Sequence, residues 1–163
     1  MNTENDSMYQ KVIFLDIDGV LNSMRSCIAL EGFGHLKPNI TEDQAKLDPI
    51  ALKLMRMLVE ETGANVVISS SWRILAKSIS EFDFLEMPVI GFTPYLGSYR
   101  GDEIQQWLDN NPTNQYVIID DDSDMHTDQM KNFVKCNHNY GFGADEFFKA
   151  YKILTDKPHK WCN

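Results

Sequence analysis

The sequence predicts an α/β fold, a three-layer sandwich in which helices cover both faces of a mostly parallel sheet. Residues 11–17 form an uninterrupted apolar run, which is typical of a strand covered on both faces. Similar runs alternate with helical segments along the chain, and such alternation favours parallel strands joined by right-handed crossovers. Hydrophobic residues make up 43% of the 163 residues, enough for one sizeable core.

The elements follow one another in a regular order. Asp48 and Pro49 predict the start of a helix, and Gly63 predicts its end. After the first strand, further strands are predicted at NVVIS (65–69), PVIGF (88–92), QYVII (115–119) and FVKCN (133–137). The remaining helices are predicted at 71–82, 102–108, 124–132 and 143–154.

The domain organisation is predicted to be simple. Residues 1–10 are polar and are interpreted as a flexible N-terminal arm, and residues 11–163 as a single domain. Residues 22–47 contain glycines and a proline without a sustained period, so we expect a short flap there. Such a flap is too short for a full cap domain and leaves an open site.

Charge and cysteine content limit the function classes. The net charge of −9 and the pI of about 4.8 exclude a general attraction to nucleic acid or to an anionic membrane. The three cysteines form neither a metal-ligand pattern nor a disulfide framework, and no apolar signal or membrane segment is visible. We therefore expect a cytoplasmic protein with no membrane or disulfide partner.

Polar side chains follow three of the predicted strands. Asp16 and Asp18 come after the first strand, Ser69 ends the second, and Asp120 and Asp121 end the fourth. Because the carboxyl ends of parallel strands meet at one edge, several carboxylates should converge there. Their mutual repulsion must be relieved by protons or by a cation, and oxygen ligands favour Mg²⁺.

Four sequence motifs, within residues 11–124, resemble those of the haloacid dehalogenase (HAD) superfamily. DIDGV (16–20) is similar to its first motif, and VVIS (66–69) to the second. Arg100, which opens a helix, is a candidate for the third motif, and IIDDDSD (118–124) is similar to the fourth. The resemblance implies a Rossmann-like HAD fold. LDIDGVLN and SSSWR are similar to sequences of small single-domain members, namely nucleotide phosphatases and nucleic-acid end-repair proteins.

The resemblance implies a role for each residue. Asp16 would be the nucleophile that forms an aspartyl-phosphate, and Asp18 the general acid and base. Gly19 would let the backbone turn sharply beside the substrate. Ser69 would donate to the phosphate, and Arg100 would pair with phosphate oxygen or with Asp16.

The same resemblance implies a Mg²⁺ site. Its ligands would be the Asp16 carboxylate, the Asp18 backbone carbonyl and Asp121, with Asp120 close by. Haloacid dehalogenases themselves lack the second aspartate of the first motif, so Asp18 favours phosphate chemistry over dehalogenation.

Some assignments stay open at this stage. Ser70 is an alternative to Ser69 for holding phosphate, because three consecutive serines allow a shift in register. Arg73 would either bind a substrate anion or pair with a carboxylate, and Arg73 and Lys77 compete with Arg100 for the third-motif role. Trp72 is expected to serve packing.

The resulting hypothesis is a Mg²⁺-dependent phosphomonoesterase. Its substrate would be a phosphorylated small molecule such as a nucleotide, or the terminal phosphate of a polynucleotide. Two alternatives remain: a HAD-like protein that binds a phosphorylated ligand without turnover, and a phosphotransferase whose acceptor is not water.

Overall fold

A five-stranded sheet forms the centre of the protein. The computed structural model describes residues 9–30 and 47–162. The strands are β1 (Tyr9–Leu15), β2 (Asn65–Ile68), β3 (Val89–Phe92), β4 (Thr113–Asp120) and β5 (Phe133–Lys135). All neighbouring strands pair in parallel, in the order β3-β2-β1-β4-β5. The predicted α/β fold with a parallel central sheet is confirmed.

Helices cover both faces of this sheet. They are α1 (Met24–Ala29), α2 (Pro49–Thr62), α3 (Arg100–Asn110) and α4 (Ala144–Thr155). Apolar side chains of α2 and α4 share one buried cluster with Ile13 and Leu15 of β1. On the opposite face, Ile104 and Trp107 of α3 pack with Val12 and Phe14. Alternate residues of β1 therefore pack into two separate cores, which explains why its sequence is apolar without interruption.

The register of the central strands aligns their carboxyl ends. Leu15 lies opposite Ile68 of β2 and Ile119 of β4. The Asp16 amide donates to the Ile119 carbonyl at 3.0 Å, and the Ser69 amide donates to the Leu15 carbonyl at 2.9 Å. Consequently the residues that follow these three positions lie side by side at one edge of the sheet.

Helix α2 has the boundaries that the sequence predicts. The Asp48 carboxylate accepts hydrogen bonds from the amides of Ile50 at 2.8 Å and Ala51 at 3.4 Å. Pro49 occupies the first turn, and Gly63 ends the helix with φ of 68°. These residues are local signals, because each one acts on the backbone groups at its own end of the helix.

Among the described residues, no helix is both long and apolar enough to span a membrane.

The prediction of a single helix over residues 71–82 is wrong. Two 3₁₀ segments, Ser71–Ile74 and Ile79–Leu85, occupy this region. The Arg73 guanidinium donates to the carbonyls of Ser69 and Ser70, both at 2.6 Å, and the Lys77 amide donates to Glu81 at 2.7 Å. Side chains thus take backbone partners that a continuous α-helix would have used.

The start of the predicted flap is tied to the loop between β5 and α4. The amides of Met24 and Arg25 donate to the carbonyls of His138 and Asn139, at 3.0 and 3.1 Å. The Phe142 amide donates to the Val20 carbonyl at 2.8 Å. Residues 31–46 of the flap, and residues 1–8 of the N-terminal arm, lie outside the described residues. The first strand begins at Tyr9, so it includes the last two residues of the expected arm.

Replacement of Asp48 by alanine should destabilise the protein. The variant leaves two amides of α2 without their acceptor, and loss of an N-cap typically costs about 1 kcal/mol. Urea unfolding of Asp48→Ala and Asp48→Asn would measure the change. Asparagine keeps the acceptor oxygen, so equal destabilisation by both variants would contradict the capping role.

Candidate active site

Three aspartates form an acidic cluster at the carboxyl edge of the sheet. Asp16 follows β1, Asp120 ends β4, and Asp121 comes next. One carboxylate oxygen from each lies within 4.8 Å of those of the other two. Asp120 is completely buried and Asp16 is 6% exposed. The convergence expected from the strand ends is therefore present.

This cluster alters the protonation of its members. Burial raises the pKa of Asp16 to about 6, although the Arg100 guanidinium opposes the shift. Burial and then the Asp16 charge raise the pKa of Asp120 to about 8. The pKa of Asp121 is also raised, first by burial and then by Asp122. The repulsion within the cluster is therefore relieved by bound protons or by a cation.

The cluster fits a hard divalent cation. Its donors are all carboxylate oxygens, and Asp120 Oδ2 is buried with no hydrogen-bond partner. An oxygen-only set of this kind suits Mg²⁺ better than a softer transition metal. The Asp18 carboxylate is not part of this cluster.

Arg100 faces the cluster from the first turn of α3. Its guanidinium lies 3.7 Å from Asp16 Oδ1 and 3.7 Å from Asp120 Oδ2. These distances are too long for hydrogen bonds, and Arg100 Nη1 is buried without a partner. The Arg100 amide donates to Asp124 Oδ2 at 2.9 Å, which anchors the start of the helix. The arrangement leaves donor capacity on Arg100 for an anion.

Gly19 makes the turn beside the cluster possible. Its φ is +75°, and a Cβ atom there would lie 2.3 Å from Asp121 Oδ2. A larger residue would therefore be strained and would also collide with a carboxylate of the acidic cluster. The glycine is required by the close approach of two strand ends.

The Asp18 carboxylate is exposed and is not one of the three that form the acidic cluster. Its Oδ1 accepts a hydrogen bond from Asn22 Nδ2 at 2.8 Å, and its Oδ2 accepts one from Trp72 Nε1 at 2.8 Å. Sequence reasoning missed both partners. Asn22 offered a weak signal, because it is a polar residue directly after the first motif, whereas Trp72 is 54 positions from Asp18 and offered none.

The serines at the end of β2 are placed differently. Ser70 Oγ accepts a hydrogen bond from the Trp72 amide at 3.4 Å, and the Ser70 hydroxyl is near enough to Asp16 to lower the pKa of that carboxyl group. Ser69 is fully buried, and its Oγ has no hydrogen-bond partner. Ser70 therefore lies close to the nucleophile candidate, while the buried hydroxyl of Ser69, beside the end of β1, has no hydrogen-bond partner.

The contacts of Arg73 correspond to the carboxylate-pairing alternative rather than to binding of a substrate anion. Its guanidinium forms a buried ion pair with Glu103 and donates to the carbonyls of Ser69, Ser70 and Thr93. Arg73 is 7% exposed. These bonds occupy the side chain, which connects the ends of β2 and β3 to α3. Of the three basic candidates, it is Arg100 that lies beside Asp16.

Fold and geometry together define the class of protein. A parallel α/β sheet whose central strand end carries Asp16 and Asp18, beside an acidic pair and an arginine, is the arrangement of the HAD superfamily. The chain belongs to one family within it, described as the HAD domain in Swiss Army Knife RNA repair proteins, whose model matches residues 12–147. Searches of curated proteins and of solved structures found no significant match.

Without metal, the protein should become less stable as the pH rises from about 5 to 8. The folded protein retains protons on Asp16 and Asp120 that the unfolded chain, with ordinary aspartate pKa values, has released. That stabilisation is fully present below about pH 4, the ordinary pKa of an aspartate, and it is lost as the pH rises through the raised pKa values of the folded protein. Thermal unfolding in EDTA would measure it.

Added Mg²⁺ should reverse this trend, because the ion competes with protons for the same oxygens. The rise in Tm caused by Mg²⁺ should be larger at about pH 8 than at about pH 5.5. Asp120→Asn is the control, and it should flatten the pH dependence in EDTA. A wild-type Tm in EDTA that does not fall with pH would contradict the coupling.

Replacement of Glu103 by alanine should cost about 3–5 kcal/mol, because it leaves the buried Arg73 guanidinium without its counter-charge. Denaturant unfolding would measure the loss. The pair of half-buried Arg56 and exposed Glu86, 3.0 Å apart, is a matched control, and Glu86→Ala should cost less than about 1 kcal/mol. Similar losses in the two variants would contradict the importance of burial.

Proposed function

We propose that this protein is a Mg²⁺-dependent phosphomonoesterase that removes a terminal phosphate from RNA or from a nucleotide. The observation that carries the proposal is the meeting of Asp16, Arg100 and the acidic pair at one edge of the sheet, where Asp18 follows Asp16 by two positions and is held by Trp72. These groups supply a nucleophile, a proton donor and an anion partner within one site. Membership of the family agrees with the proposal.

In the first step, a carboxylate oxygen of Asp16 attacks the phosphorus atom. A bond forms between that oxygen and phosphorus as the bond to the leaving oxygen breaks, and Asp18 passes its proton to the leaving oxygen. Arg100 and the hydroxyl of Ser69 or Ser70 hold the phosphate oxygens. The product of this step is an aspartyl-phosphate on Asp16.

In the second step, water releases the phosphate. Asp18, now deprotonated, accepts a proton from the water molecule as the water oxygen attacks phosphorus. The bond between phosphorus and the Asp16 oxygen breaks, so both aspartates return to their starting state. Mg²⁺ bound by Asp16, Asp121 and the Asp18 carbonyl, with Asp120 nearby, would offset phosphate charge throughout.

The substrate part of the proposal has two supports. The family description names RNA repair proteins, which points to a nucleic-acid end. In addition, Tyr95 and Tyr99 are 65% and 69% exposed on the segment between β3 and α3, at the same edge as the acidic cluster. Exposed aromatic rings stack on unpaired bases of any sequence, because every base has a π-face. Stacking of this kind suits the binding of an unpaired RNA end, whereas the negative net charge of the protein disfavours binding along a duplex.

Hydrolysis assays test the proposal directly. Wild-type protein should release phosphate from p-nitrophenyl phosphate and from RNA oligonucleotides phosphorylated at the 3′ or 5′ end, and EDTA should abolish the release. Asp16→Asn should lower kcat/KM by more than roughly 1,000-fold, because it removes the nucleophile.

Asp122→Asn is the matched control. Asp122 is an exposed carboxylate in the same acidic run, and its side chain is not a member of the cluster, so this variant should retain activity. Full activity in Asp16→Asn, or stoichiometric binding of the phosphorylated RNA with no phosphate release by the wild type, would overturn the proposed function.

A further inference from the structure

The carboxylate of Asp18 is held at both of its oxygens. Trp72 Nε1 donates to Oδ2 and Asn22 Nδ2 donates to Oδ1, each at 2.8 Å. Each oxygen retains a further lone pair, which remains available to another partner. The two hydrogen bonds therefore fix the plane of the carboxyl group without using all of its acceptor capacity.

Both donors are themselves held in place. Asn22 is 6% exposed, and its Oδ1 accepts the Gly19 amide at 3.0 Å, which orients the side-chain amide towards Asp18. Trp72 is 7% exposed and packs against Phe84 with ring centroids 6.5 Å apart. The donors are thus rigid, whereas the carboxylate that they hold is exposed to solvent.

A purely structural role does not account for this arrangement. Pairing the buried donors of Trp72 and Asn22 stabilises the fold, but any acceptor would do this, and water would solvate an exposed carboxylate without them. An unrestrained aspartate at the surface samples several rotamers, and a proton donor must instead lie within hydrogen-bond reach of one atom. Two buried donors that converge on one exposed carboxyl group restrict it to one orientation.

We infer that Trp72 and Asn22 are positioning residues that aim the Asp18 carboxyl group at the leaving oxygen of the substrate. The inference rests on the proposed function, in which Asp18 donates the proton as the bond to the leaving oxygen breaks. Neither residue touches the phosphate in this scheme. Their effect should therefore depend on how much the leaving group needs a proton.

Two phenyl esters of similar shape separate positioning from general damage. p-Nitrophenolate leaves readily without a proton, whereas phenolate, like the tyrosine side chain with a pKa of about 10, needs one. In Trp72→Phe, kcat/KM for phenyl phosphate should fall by about 10-fold or more, and that for p-nitrophenyl phosphate by less than about threefold. Asn22→Asp, which keeps an acceptor for Gly19, should show the same selective loss.

Trp107→Phe is the matched control. Trp107 is also buried, at 8% exposure, but it packs with Phe14 on the α3 face of the sheet. This variant should lower kcat/KM for the two esters by equal factors, if at all. Thermal unfolding of each variant confirms that the comparison is made on folded protein.

An NMR measurement tests the contact without relying on activity. The three tryptophans, Trp72, Trp107 and Trp161, give three indole N–H signals, and Trp72→Phe identifies the one from Trp72. Asp18→Asn should shift the Trp72 signal and leave the other two unchanged. An unchanged Trp72 signal would overturn the inference.

The kinetic outcomes distinguish the two proposals. If the wild type is active and Trp72→Phe lowers kcat/KM by equal factors for the two esters, the positioning role is overturned and the phosphatase function stays intact. A wild-type protein that cleaves neither ester nor any phosphorylated oligonucleotide would overturn the proposed function, and the positioning role with it.

Discussion

The parallel pairing of β1 with β2 on one side and β4 on the other determines where the acidic cluster lies. Leu15 is aligned with both Ile68 and Ile119, so the next residue of each strand reaches the same edge. A shift of one residue in either pairing would turn a carboxylate or a hydroxyl away from its neighbours. The two apolar cores prevent such a shift, because it would expose the buried side chains of the strand.

Several carboxylates are concentrated at this edge of the sheet, and their mutual repulsion destabilises the folded protein. Asp16 and Asp120 are buried, and the Arg100 guanidinium lies 3.7 Å from each. Both carboxylates share this guanidinium, and the bond from the Arg100 amide to Asp124 anchors the start of α3 that carries it. Repulsion between buried carboxylates is typical of functional sites, where some stability of the fold is lost in exchange for reactivity. The Arg73–Glu103 pair, by contrast, is fully satisfied and stabilises the surrounding strand ends.

The sequence predicted those parts of the fold that depend on local signals. The strands and the boundaries of α2 follow from apolar runs and from capping residues, and the acidic cluster follows from parallel pairing of the strands. Contacts between distant residues could not be predicted. The bond from Trp72 to Asp18 joins residues 54 apart, and Arg73 reaches Glu103, 30 residues away. The same Arg73 contacts explain why residues 71–82 do not form the expected α-helix.

The anchoring of the segment after the first motif has an evolutionary consequence. Met24, Arg25 and Val20 hydrogen-bond to the β5–α4 loop through backbone amides and carbonyls. Such bonds persist whatever side chains the residues carry. The exposed side chains of α1, such as Met24 at 44% and Ile28 at 60% exposure, are therefore free to vary without loosening the attachment. Related proteins can therefore vary this surface while the attachment of the segment stays unchanged.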